Sequence, residues 1–141
     1  MNLAAQKQSM LVAGILISPT DMIAHIDHIQ LAAPKGCEAA ARRFYGSLLG
    51  LREIEKPASL RARGGCWFQC GDQQLHIGVE ADFRPTKKAH PALAVSNFDT
   101  LRNLLLGHNV KITDDESLPG TRRFYAEDPW GNRLEFVEVQ S

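Results

Sequence analysis

The sequence predicts an α+β domain in which two βαβββ repeats form a curved mixed sheet around a central cup. Three observations lead there. His28-Ile-Gln-Leu-Ala32 returns as His90-Pro-Ala-Leu-Ala94, 62 positions later. Each copy is followed by one stretch of helical periodicity and then by three short runs of strand character. Two units of about 55 residues are too few for a solenoid, which needs at least three, so a pseudo-twofold pair is the simplest arrangement.

Residues 1–24 read as an N-terminal arm. Met10 to Ile17 is an apolar run of eight, far short of the roughly 20 residues that span a bilayer. A single lysine, Lys7, precedes it, and Pro19, Thr20 and Asp21 follow without a small-residue cleavage signature, so a secretory signal is not expected. The domain proper is expected over 25–141, with halves at 26–80 and 90–139.

In the first half the helix spans Cys37 to Leu49, with Ala41, Phe44, Tyr45 and Leu48 at helical spacing and Gly50 as its stop. Strands follow at Leu51 to Glu55, Cys66 to Cys70 and Gln74 to Val79, the last two joined by the two-residue turn Gly71-Asp72. In the second half the helix spans Asn97 to Leu106, entered through a capping box of Ser96 and Asp99 and ended by Gly107. Its strands are Val110 to Thr113, Arg122 to Glu127 and Arg133 to Val139, with a strong turn at Asp128-Pro-Trp-Gly-Asn132. The linker Ala81 to Ala89 carries Pro85 as a breaker.

Composition narrows the function. The 141 residues are 44% hydrophobic and 23% charged, and sixteen basic side chains balance sixteen acidic ones. Without a basic stripe there is no electrostatic footprint for nucleic acid or an anionic membrane, which leaves a small molecule as the expected partner. Cys37, Cys66 and Cys70 read as reduced thiols of a cytoplasmic protein. Cys66 and Cys70 share a strand face about 13 Å apart, too far for a disulfide or a common metal.

Strand alternation picks out the residues that face the cup. His28, Gln30 and Ala32 share one face of the first strand, and His90, Ala92 and Ala94 share one face of its counterpart. Leu75-His76-Ile77 and Leu134-Glu135-Phe136 each set one polar residue between two apolar ones, 59 positions apart. With the apolar neighbours turned to the core, His76 and Glu135 face the other way. His28, His76, His90 and Glu135 therefore occupy repeat-equivalent positions. Imidazole and carboxylate are good ligands for Zn, Ni, Mn, Co or Fe(II). A lone histidine on a strand is more often only hydrogen-bonded; the joint placement is what points to a divalent metal. His25, on the opposite face, and His108, after the helix stop, are expected at the surface.

His28-Ile-Gln-Leu-Ala, Arg43-Phe-Tyr-x-x-Leu-Leu-Gly-Leu51 and Asp128-Pro-Trp-Gly-Asn-Arg-Leu-Glu135 together resemble the vicinal-oxygen-chelate superfamily of glyoxalases, bleomycin-resistance proteins and dioxygenases, over about Ile26 to Glu138. The resemblance implies metal ligands at His28, His76, His90 and Glu135, a homodimer, and a metal-dependent lyase or isomerase acting on a small oxygenated substrate. Glu135 would serve as the catalytic base. His76 stands where glyoxalase I has a glutamate, which removes a second candidate base. The alternative within the superfamily is a metal-free drug- or metabolite-binding protein of the bleomycin-resistance type. Hairpin pairing puts Tyr125 opposite Glu135 and Trp67 opposite His76, so both aromatics are candidate pocket walls, and Tyr125 is also a candidate proton donor. Arg123 shares the parity of Tyr125 and, with Gln30, completes the candidate substrate contacts.

Overall fold

The computed structural model describes residues 9–18 and 22–140. It contains a short hairpin, β1 (Met10–Val12) and β2 (Ile15–Ile17), followed by two four-stranded sheets. The first sheet holds β3 (His28–Ala33), β4 (Arg52–Ile54), β5 (Cys66–Cys70) and β6 (Gln73–Val79), in the order β3-β6-β5-β4. The second holds β7 (Ala92–Val95), β8 (Ile112–Asp115), β9 (Arg123–Glu127) and β10 (Arg133–Glu138), in the order β7-β10-β9-β8. Each half therefore runs its first strand parallel to its last and adds the other two antiparallel. The repeat extends to register: Gln30 faces His76 across β3 and β6, and its equivalent Ala92 faces Glu135 across β7 and β10.

The first helix begins as predicted but changes pitch. A single turn, α1 (Glu38–Ala41), continues as a π-helix over Arg42–Leu48. Phe44 and Tyr45, adjacent in sequence, are both buried there, and Gly50 takes the left-handed conformation (φ 76°) that ends the segment. The second helix, α2 (Phe98–Gly107), departs from expectation at both ends. Its N-cap is Asn97, which makes no side-chain capping bond, and Asp99, expected as the other arm of the box, is paired with Arg122. At its end Gly107 is still helical, and Asn109 supplies the left-handed residue (φ 58°).

One core joins the halves. Leu31, Phe68 and Ile77 from the first sheet meet Phe124, Leu134 and Phe136 from the second, with Tyr45 and Leu105 from the helices. A buried polar lock fixes them together. The Tyr45 hydroxyl donates to Asp128 Oδ2 (2.8 Å), and the Asn132 side-chain amide donates to the same oxygen and to the Ala32 carbonyl of β3. The other Asp128 oxygen accepts the backbone N–H groups of Trp130 and Asn132. The turn between β9 and β10 is thus also the bolt between the halves. Satisfying these groups matters because each buried polar atom left unpaired costs about 1–3 kcal/mol.

Candidate metal centre

With the apolar residues of both sheets committed to the core, the alternate residues face away from it. On the first sheet this outward face carries His28, Gln30, Trp67 and His76. Trp67 and His76 are cross-strand partners and stack with ring centroids 3.9 Å apart. His28 lies on the other side of His76, stacked at 4.3 Å. The His76 ring is therefore held between two others and is only 4% exposed. Burial, followed by the charge of neighbouring His28, lowers its pKa to about 4, so His76 is neutral at neutral pH. Its Nε2 lies 2.8 Å from Gln74 Oε1, which accepts from it. Gln30 lies across Gly78, where any side chain would collide with it.

On the second sheet the outward face carries His90, Arg123, Tyr125 and Glu135. His90 Nε2 is 4.0 Å from Glu135 Oε1, and its ring meets Tyr125 edge to face at 5.5 Å. Tyr125 and Glu135 are cross-strand partners, as the hairpin reading requires. Partial desolvation, then a hydrogen bond to Glu135 and its negative charge, raise the Tyr125 phenol above its ordinary value. Tyr125 is accordingly protonated at neutral pH and able to donate. Arg123 sits within the chain's own network: it donates to Glu135 Oε1 (3.1 Å), Asp115 Oδ2 and Ser117 Oγ. Its immediate effect is to hold the Glu135 carboxylate in place.

Two of the histidines are oriented in the manner of metal ligands. His28 Nδ1 is 2.9 Å from Asp27 Oδ2, and His90 Nδ1 is 2.8 Å from the Lys88 carbonyl oxygen. Both acceptors fix the proton on Nδ1 and leave an Nε2 lone pair for an ion, the usual support of a metal-binding imidazole. Asp27 was not legible as a functional residue; a carboxylate immediately before a candidate ligand was the available signal.

The donors do not converge within one chain. Among the described residues no three His, Cys, Asp or Glu side chains form a group that could hold a metal. The four candidates form two pairs, His28 with His76 and His90 with Glu135, one on each sheet. Their chemistry suits a divalent cation, while either pair alone offers only two donors. His25 and His108 are exposed and bond to backbone carbonyls. The cysteines are free, with Cys66 pushed up to about 11 by burial, which keeps it an unreactive thiol. No helix among the described residues is long and apolar enough to cross a membrane.

Comparison with known proteins bears on the family and the fold. The family model of the Glyoxalase/Bleomycin resistance protein/Dioxygenase superfamily matches residues 25–136. A glyoxalase family protein from Bacillus anthracis has a solved structure with TM-score 0.81 and 51% identity, covering 84% of this chain and 97% of that one. Lactoylglutathione lyase from Agrobacterium tumefaciens (TM-score 0.65, 20% identity, 83% and 95% covered) shares the fold. So does the fosfomycin resistance protein FosX from Listeria monocytogenes (0.67, 16% identity, 84% and 96%). A search of curated proteins finds no match. The chain belongs to the glyoxalase/bleomycin resistance/dioxygenase superfamily.

Proposed function

We propose that this protein is a divalent-metal-dependent lyase or isomerase of the glyoxalase type, acting on a small oxygenated substrate at a site assembled from two copies of the chain. The observation that carries the proposal is the pair of half-sites at repeat-equivalent positions. His28 and His76 of one copy would meet His90 and Glu135 of the other, giving a homodimer with two equivalent sites.

A bound divalent ion would supply Lewis-acid stabilisation of negative charge on adjacent substrate oxygens. The chain's own residues do the rest. His28 and His90 present Nε2 atoms held by Asp27 and the Lys88 carbonyl. His76 contributes a neutral ring, whose Nε2 becomes a donor to the ion once Gln74 turns aside and the ring proton moves from Nε2 to Nδ1. Glu135 accepts the substrate proton, held by Arg123 at the edge of the half-site. Tyr125 returns a proton or donates a hydrogen bond. Trp67 walls the cleft against water, and Gln30 reaches across it to orient the substrate.

Metal analysis of protein purified without added metal, followed by titration with Zn, Ni, Mn, Co and Fe(II), tests the reading. We expect about one ion per chain, with affinity reduced at least roughly a hundredfold by His28→Ala, His90→Ala or Glu135→Ala. Failure to bind any of these ions would overturn it. One observation favours a second reading, a metal-free binding protein: Arg123 already neutralises Glu135. In that case ligands of the aromatic cleft would bind equally well to the His28→Ala and Glu135→Ala variants, without turnover.

A further inference from the structure

The hairpin β1–β2 lies before the segment matched by the family model and has no place in the half-sites. Its register pairs Leu11 with Leu16 on one face and Val12 with Ile15 on the other. Both faces are exposed: Leu11 is 73% accessible, Leu16 71%, Ile15 64%, Met10 48% and Val12 45%. None of these side chains belongs to the core. Residues 9–18 contain no charge. An isolated two-stranded hairpin is at best marginally stable in water, and bare uncharged strand edges invite pairing with another chain. Met22, Ile23 and Ile26, which precede His28, the first residue of a half-site, are exposed as well.

We infer that this hairpin docks on a second copy of the chain and fastens the pair whose half-sites combine into two composite centres. The inference rests on the composite-site reading, which requires another copy beside His28. The area supports that occupant. Five exposed apolar side chains on the hairpin, with Met22, Ile23 and Ile26 after it, make eight. At roughly 100 Å² each on the usual burial scale, and with both hairpin faces covered, they amount to about 800 Å², the share each partner contributes to a standard stable interface. A membrane surface is less suited, because insertion into a lipid interface favours one apolar and one basic face, whereas this hairpin is apolar on both and uncharged.

The test is the dimer dissociation constant of the full chain, measured by sedimentation, against two double variants that charge one face each: Leu11→Asp with Leu16→Asp, and Val12→Lys with Ile15→Lys. None of the four residues touches the core, so folding is not at stake. We expect at least a tenfold weaker dimer for each of the two variants, because the docked area includes both faces. An unchanged constant in either variant, with the full chain dimeric, overturns the hairpin's role and leaves the composite site standing. A full chain that stays monomeric at every concentration overturns the composite site as well. Flotation of a monomeric full chain with phosphatidylserine vesicles, lost in the charged variants, would overturn the inference in favour of a lipid surface.

Discussion

At the scale of single residues, the least obvious contribution comes from groups that touch no substrate. Tyr45, Asp128 and Asn132 carry the polar lock between the halves, and Asp128 is saturated with four donors. Tyr45→Phe removes one of these and leaves a buried carboxylate lone pair unmet, so urea unfolding should show a loss of about 1–3 kcal/mol. Asp128→Ala, which strands all four donors, should cost more. His76 provides a pH signature. Its folded-state pKa of about 4 lies below its ordinary 6.5, so the unfolded chain binds the proton more readily. Metal-free protein should lose stability as pH falls from about 6.5 to about 4 and no further from this group. At about 1.4 kcal/mol per unit, the loss approaches roughly 3 kcal/mol. Unfolding at a series of pH values should show this slope in the native chain and its loss in His76→Gln.

At the scale of elements, period-two alternation makes the residues that face away from the core legible in the sequence. Trp67 opposite His76 and Tyr125 opposite Glu135 followed from turn length and parity alone, and both pairings are present. The ends of α2 and the pitch of the first helix were not legible. Asp99 fitted a capping box locally but is drawn off by Arg122 from β9's approach, and a π-helix has no periodicity that separates it from an α-helix over seven residues. The Asp128 to Asn132 motif read as a turn, whereas its polar side chains also bind the opposite half; only tertiary structure could add that. Two glycines separate backbone demand from side-chain space. Gly65 has φ 84°, and a Cβ there would run into the Ile77 carbonyl, so Gly65→Ala should destabilise by several kcal/mol. The atoms nearest a Cβ at Gly78 all belong to the flexible end of the Gln30 side chain, so Gly78→Ala should cost under about 1 kcal/mol while displacing the Gln30 amide. Thermal unfolding of the two variants checks the contrast.

At the scale of the whole molecule, the repeat that creates the fold also divides the candidate centre. Two outward faces, each with two donors, sit on opposite partners of a shared core, and neither is sufficient alone. The sequence placed four candidate ligands at equivalent positions but carried no information on which copies of the halves come together, because parity is a property within a sheet. The direct measurement is metal content in a mixed dimer, purified through two different tags, of a His28→Ala/His76→Ala chain with a His90→Ala/Glu135→Ala chain. If the site is shared between copies, one centre of this dimer regains all four donors and the other has none, so the mixed dimer should hold one ion where the native dimer holds two. A mixed dimer that holds no ion, beside a native dimer that holds two, would contradict the shared site.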